Sequence, residues 1–155
     1  ETDKLCNFKN GDQITKTDID EVCVKSLEAS VFDLSRAVTK NDGKKAFSVL
    51  HKLFAEKEKP ELTLGTMIMA FVDMYRAKVA VSSGEKANFA ASCYNCRGRE
   101  FRLRNASYDS RNISIKTLRK NLDSLNEADR KLKIRVTDEK IILEKLLVEL
   151  LRSEQ

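Results

Sequence analysis

The side chains equipped for bond-making chemistry are few in this sequence and stand far apart. One histidine occurs, His51, between Leu50 and Lys52 in an amphipathic pattern. A lone imidazole in that setting reads as a boundary residue rather than a general base. No G-x-S-x-G is present to offer a nucleophile. Gly43-Lys44-Lys45 lacks the upstream glycine and the hydroxyl of a phosphate-cradling G-x-x-x-x-G-K-[ST] loop, so ATP binding by that device is not expected. Cys93-x-x-Cys96 is the sharpest local motif. Two thiolates at that spacing can share a zinc ion, but a structural zinc takes four ligands. The other candidates, Cys6, Cys23 and His51, lie far away in isolated helical contexts. A redox C-x-x-C belongs at a strand-to-helix junction, and no strand pattern surrounds this one. The cysteines therefore read first as small apolar residues. A metal or redox protein is the alternative, which stoichiometric zinc or a titratable disulfide would reveal. No catalytic residue, metal or cofactor is assigned.

Charge offers a second kind of chemistry. Arg97, Arg99, Arg102 and Arg104, with Arg111, form a basic run within RGREFRLRN and beyond. They are candidate DNA-proximal residues, since guanidinium groups meet phosphates by Coulomb attraction and counterion release. With the weakly patterned helix before it, the run can mimic a helix-turn-helix. The plainer reading is a solvated basic helix face. A stand-alone helical nucleic-acid-binding domain using residues 97–111 stays as the alternative, and it predicts steeply salt-dependent DNA binding.

The elements that must carry these residues are helices. The chain is organised around residues 114–133, whose apolar side chains are Ile115, Leu118, Leu122, Leu125, Ala128 and Leu132. Their steps of three and four mark one helix face, and Ser114 can cap its start. Lys116, Arg119, Lys120, Asn126 and Arg130 make the wet face. A helix with one dry stripe is stable only against others.

In order, residues 1–9 look like the last turns of a helix, stopped at Asn10-Gly11, and a short helix with Ile19, Val22 and Cys23 follows. Ser30 is the expected cap of a helix through Phe32 and Leu34, closed by the turn Asn41-Asp42-Gly43. A further helix face carries Ala46, Phe47, Leu50, Leu53 and Phe54, and breaks before Pro60. Residues 61–81 form the longest apolar-rich helix, with Met67, Phe71, Met74 and Tyr75; its apolar side chains cover more than one face, so a central place is expected. Met67, Met69 and Met74 read as core filler. A short helix around residues 87–91 and a basic helix from about Arg99 come next. Residues 138–152 end the series with Ile141, Ile142, Leu143, Leu146, Leu147, Leu150 and Leu151, more aliphatic surface than one partner helix covers. Burial in the bundle, contact with another protein, or both, account for it.

Composition agrees with an all-α bundle. Of 155 residues 41% are hydrophobic and 34% charged, with one proline and five glycines. That is enough apolar matter for a core and few breaks for long helices. Twenty-nine basic against 24 acidic residues leave a net charge of +5, which permits nucleic-acid contact without requiring it. No secretory signal and no membrane-spanning apolar run is read, so an intracellular protein with reduced thiols is expected. The sequence opens at Glu1 rather than methionine, from which a fragment or processed product is expected.

The order of these segments resembles the C-terminal part of the delta subunit of the bacterial DNA polymerase III clamp loader. ETDKLCNFKNGDQITKTDIDEV is similar to the end of that family's lid domain. Phe32-Asp33-Leu34, then Asp42-Gly43-Lys44-Lys45-Ala46 and Leu50, resembles the start of its collar domain, and Phe71, Tyr75, Arg76 and Lys78 fit its central helix. Phe101-Arg102-Leu103-Arg104, followed by Ile113-Ser114-Ile115 and Leu118, matches its "P-F-R-V-K" to "F-S-x-x-x-L" stretch, with Glu100 in place of the proline. Ala128-Asp129-Arg130-Lys131-Leu132-Lys133 resembles its "A-D-x-x-L-K" signature, and Leu143 to Leu151 its leucine-rich last helix.

The resemblance implies a remnant of an AAA+-type lid over residues 1–25 and a helical collar over 26–155. It implies a non-catalytic scaffold in a bacterial, cytoplasmic replication complex whose parent holoenzyme is a DNA-directed DNA polymerase. Its implied partners are the delta-prime and tau/gamma subunits, in a pentamer that loads the sliding clamp. The clamp itself would be met only through an N-terminal domain outside this chain, DNA indirectly or weakly, and no membrane. Candidate interface or collar-packing residues are Phe32, Phe71, Tyr75, Phe101, Leu118, Leu122, Leu125, Asp129, Lys133, Leu147 and Leu151. Asp129 and Lys133, at i and i+4, read equally as a surface ion pair.

Overall fold

The computed structural model describes residues 26–87, 89–93, 100–134 and 137–152. The lid remnant expected over residues 1–25, Arg97, Arg99, and the thiols of Cys6, Cys23 and Cys96 lie outside the described residues.

Helix α1 spans Leu27–Thr39. The sequence pattern puts its cap at Ser30, but the cap is Ser26, whose hydroxyl accepts from the Ala29 N–H at 3.2 Å. The reason is packing. Leu27 extends the buried stripe of Val31, Leu34 and Val38 by one turn, so the helix starts where the stripe starts, and Ser30 is buried within it. Glu28 in the first turn faces the positive end of the helix dipole.

At the far end of α1, Asn41 takes a positive φ of 54°, which asparagine tolerates better than most residues. Asp42 then caps α2, Gly43–Ala55, by accepting from the Lys45 N–H at 3.0 Å. Gly43 leaves room for Leu151, which a larger residue would have to push aside by a few tenths of an ångström. A Cβ there would sit 3.3 Å from Cδ1 of Leu151 on the last helix.

Pro60 occupies the first turn of α3, Pro60–Ser82, where its missing N–H costs nothing. This 23-residue helix is the axis of the bundle. It packs against α1, against α4 (Phe89–Cys93), α5 (Glu100–Asp109) and α6 (Ile115–Ile134), and against α7 (Glu139–Arg152). Leu64, Met67, Ala70, Phe71, Met74 and Ala77 are buried along it. Met69 is exposed and fills no core.

Ser114 caps α6 as its position predicts, accepting from the Thr117 N–H at 2.9 Å. The buried face of α6 is Leu118, Asn121, Leu125, Ala128 and Leu132, with Leu122 only half-buried. Helix α7 is buried at Ile142, Leu143, Leu146, Leu147 and Leu150 and closes the core against α6 and α2. A smaller cluster of Ala90, Ala91 and Leu103 joins α4 to α5. Among the described residues there is no strand, and the architecture is an all-α bundle.

Candidate assembly surface

The bundle sorts the candidate residues by depth. Phe71, Leu118, Leu125 and Leu147 are fully inside, so what they touch is this chain's own core. Phe32, Tyr75, Leu122 and Leu151 are half-buried. Tyr75 keeps its hydroxyl at the surface, where it accepts from the Arg119 guanidinium at 2.9 Å. That bond to Tyr75 raises the pKa of Arg119 above its ordinary value, so the cation is held more firmly. Asp129 and Lys133 form the i, i+4 ion pair on the outer side of α6.

The basic run divides in two. Arg102 turns inward: Nη2 lies 3.3 Å from Oδ2 of Asp73 and Nη1 3.3 Å from Oε1 of Glu28, with the guanidinium 5.3 Å from the centroid of the Phe32 ring. Arg104 points outward and is exposed. Arg102 is thus one of three charged contacts that fasten α5. Arg36 Nε donates to Oδ2 of Asp109 at 2.8 Å. Lys78 Nζ donates to the carbonyls of Ser110 and Arg111 at 3.1 and 2.9 Å, satisfying acceptors at the C-terminal end of α5. These contacts carry weight because only Leu103 and Ala106 of α5 are buried.

His51 lies at the seam of α2 and α7, where Nε2 is 3.1 Å from Oε1 of Glu144, with Phe47 and Phe54 on either side. Its imidazole is open to solvent. Cys93 carries a free, exposed thiol beside a hollow of about 170 Å³ lined by Tyr75, Val79 and Phe89. Among the described residues no group of three metal-capable side chains gathers, and no helix is long and apolar enough to cross a membrane.

What the surface does present is apolar. On α7, Ile141 and Val148 stand two turns apart on the outer face, and Ile134 is exposed at the end of neighbouring α6. On α5, Phe101 is 67% exposed and Tyr108 62%. Tyr108, Ile134 and Val148 are not among the sequence candidates. The available signal was spacing: Tyr108 follows Phe101 by seven residues, and so does Val148 after Ile141, two helix turns in each case.

The same chain has known counterparts. Residues 28–150 match the family described as DNA polymerase III delta subunit, C-terminal domain. The sequence is 24% identical over 156 residues to DNA polymerase III subunit delta of Bacillus subtilis (strain 168), covering 100% of this chain and 44% of that protein. The fold is similar to that of the Bacillus subtilis DNA clamp loader delta protein, with a TM-score of 0.81 at 25% identity over 97% of this chain and 44% of that one. The chain therefore spans under half the length of these relatives.

Proposed function

Because the chain belongs to the family formed by the C-terminal domain of the DNA polymerase III delta subunit, we propose that it is the collar of a clamp loader. In this role it is a non-catalytic scaffold. It packs beside the equivalent domains of delta-prime and tau/gamma to close the pentamer that loads the sliding clamp onto DNA, in the cytoplasm at the replication fork. Residues 26–155 form the collar, and residues 1–25 are the end of the preceding lid. The clamp is engaged through an N-terminal domain beyond this chain, and DNA is met indirectly.

The observation that carries this reading is the match over residues 28–150, from α1 to α7, together with a TM-score of 0.81 to a clamp loader delta protein. The physical means is division of labour between the two sides of each helix. Buried stripes such as Leu118–Leu125 on α6 and Leu143–Leu147 on α7 fix the shape of the bundle. Outer residues such as Ile141 and Val148 are left to be covered by a sister domain, since apolar area removed from water stabilises at about 25 cal/mol per Å². Asp129 and Lys133 belong to the rim of such a contact, where an ion pair sets register more than affinity. Arg102 is engaged with Asp73 and Glu28 rather than available to phosphates, which weighs against the nucleic-acid alternative.

The test is assembly. The purified protein, mixed with delta-prime and tau/gamma and run on a sizing column, should elute with them in one complex. Elution at its own volume, unchanged by either partner, refutes the scaffold role.

A further inference from the structure

The outer face of α5 carries Phe101, Arg104 and Tyr108 at steps of three and four, and Arg111 extends it past the helix end. Both rings are mostly in solvent. The Arg111 guanidinium lies 4.6 Å from the centroid of the Tyr108 ring. Arg104, between the rings, makes no ion pair among the described residues. A shallow groove of about 260 Å³ flanks Tyr108, with Arg36 and Lys40 in its wall. Beside Phe101 opens a second, more apolar hollow of about 160 Å³, lined by Phe32, Ala70 and Met74.

We infer that this face is the docking surface for an acidic amphipathic helix of a partner protein. The inference rests on the scaffold reading above and names the face and the chemistry of one contact. Phe, Tyr and Arg are the residue types that concentrate binding energy at protein interfaces, and here they alternate on one strip. Asp109 and Asp73, the carboxylates lining the hollow beside Phe101, are engaged with Arg36 and Arg102. Arg104 and Lys40 are left facing outward, so the complementary surface is acidic. The two rings are one seven-residue step apart, about 10.5 Å along the axis, which equals two turns of an opposing helix. Successive bases of a nucleic-acid strand rise only about 3.4 Å, so the rings do not form a continuous stacking platform. An aliphatic side chain of the incoming helix fits the hollow beside Phe101.

The experiment compares wild type with Phe101→Ala, Arg104→Glu and, as a control on the wet face of α6, Lys116→Glu. Affinity for delta-prime and for tau/gamma is measured by calorimetry, and circular dichroism and Tm check folding. Binding of a labelled oligodeoxythymidine is followed in parallel by anisotropy. Phe101→Ala and Arg104→Glu should each weaken binding to one partner at least about tenfold, with Lys116→Glu and the helical spectrum unchanged. If wild type binds its partners and both variants bind as well, the α5 assignment is wrong and the scaffold reading survives. If wild type binds neither partner, both fall. If the oligonucleotide binds and Arg104→Glu abolishes that binding, the occupant is nucleic acid and the inference is overturned.

Discussion

Replacing Arg102 by methionine tests whether α5 is held to the bundle by charge. Methionine keeps much of the aliphatic stem, which packs beside Phe32, and deletes the guanidinium. The side chain of Arg102 is 23% exposed and that of Asp73 13%, so the pair lies between a surface bridge and a buried one. Surface bridges contribute about 0–1 kcal/mol, and breaking a buried pair costs about 3–5 kcal/mol. The lower part of the gap applies here for two reasons. At 3.3 Å the contact with Asp73 is one of charge rather than an aligned hydrogen bond, and Nε and Nη2 of Arg102 lack a bond of good geometry. Arg76, 4.0 Å from Asp73, also remains to offset the carboxylate once Arg102 is gone. The pair is then worth about 1–2 kcal/mol, and the cation over Phe32 adds about 0.5–1 kcal/mol. Glu28, more than half exposed, adds little. Arg102→Met should therefore destabilise by about 2 kcal/mol in urea unfolding, with the loss shrinking at high salt. Amide exchange should rise first in Glu100–Asp109, a ten-residue helix with only two buried side chains. In an Asp73→Asn background the same change should cost less by the pair's coupling energy. A loss under about 0.5 kcal/mol, or an undiminished loss in that background, refutes the fastening argument.

Three other substitutions probe the packing. Lys78→Met removes the donor to the Ser110 and Arg111 carbonyls and should cost about 1 kcal/mol, with faster exchange at residues 110–113 and no change in α6 beyond its first turn. Leu125→Ala should cost about 2–5 kcal/mol in denaturant unfolding, and Leu122→Ala, half-buried one turn away, less than half of that. Gly43→Val should cost about 1–3 kcal/mol, because its side chain enters space held by Leu151, while Leu151→Ala in the same chain should recover part of the loss.

Helices are legible in the sequence because their apolar side chains recur at three and four. The turn Asn41-Asp42-Gly43, the break at Pro60 and the cap at Ser114 all carry residue types that announce themselves. Polarity misleads elsewhere. Ser30 looks like a cap because it is a serine before an apolar run, yet one more leucine upstream draws the helix back to Ser26. Asn121 looks like a surface residue, yet it is fully buried because 118, 121 and 125 fall on the inner line of α6. Leu122 is apolar and sits to the side of that line. Hydropathy names the residues that can be buried; geometry decides which of them are.

The same distinction explains why fold comes out of this sequence before function does. Residues on the buried lines, such as Phe71, Leu118, Leu125 and Leu147, must satisfy several neighbours at once, and that demand writes a periodic pattern. Surface residues answer to few neighbours in their own chain, and their contacts impose no such period. Phe101 and Tyr108 are exposed aromatics set in a basic segment, and nothing in their local pattern separates a contact surface from a solvated one. The bundle separates them. It turns Arg102 inward to Asp73, and leaves Arg104 and most of both rings exposed to solvent. The proposed scaffold role places function on the faces that the core leaves unused, so it becomes readable only once the core has been subtracted.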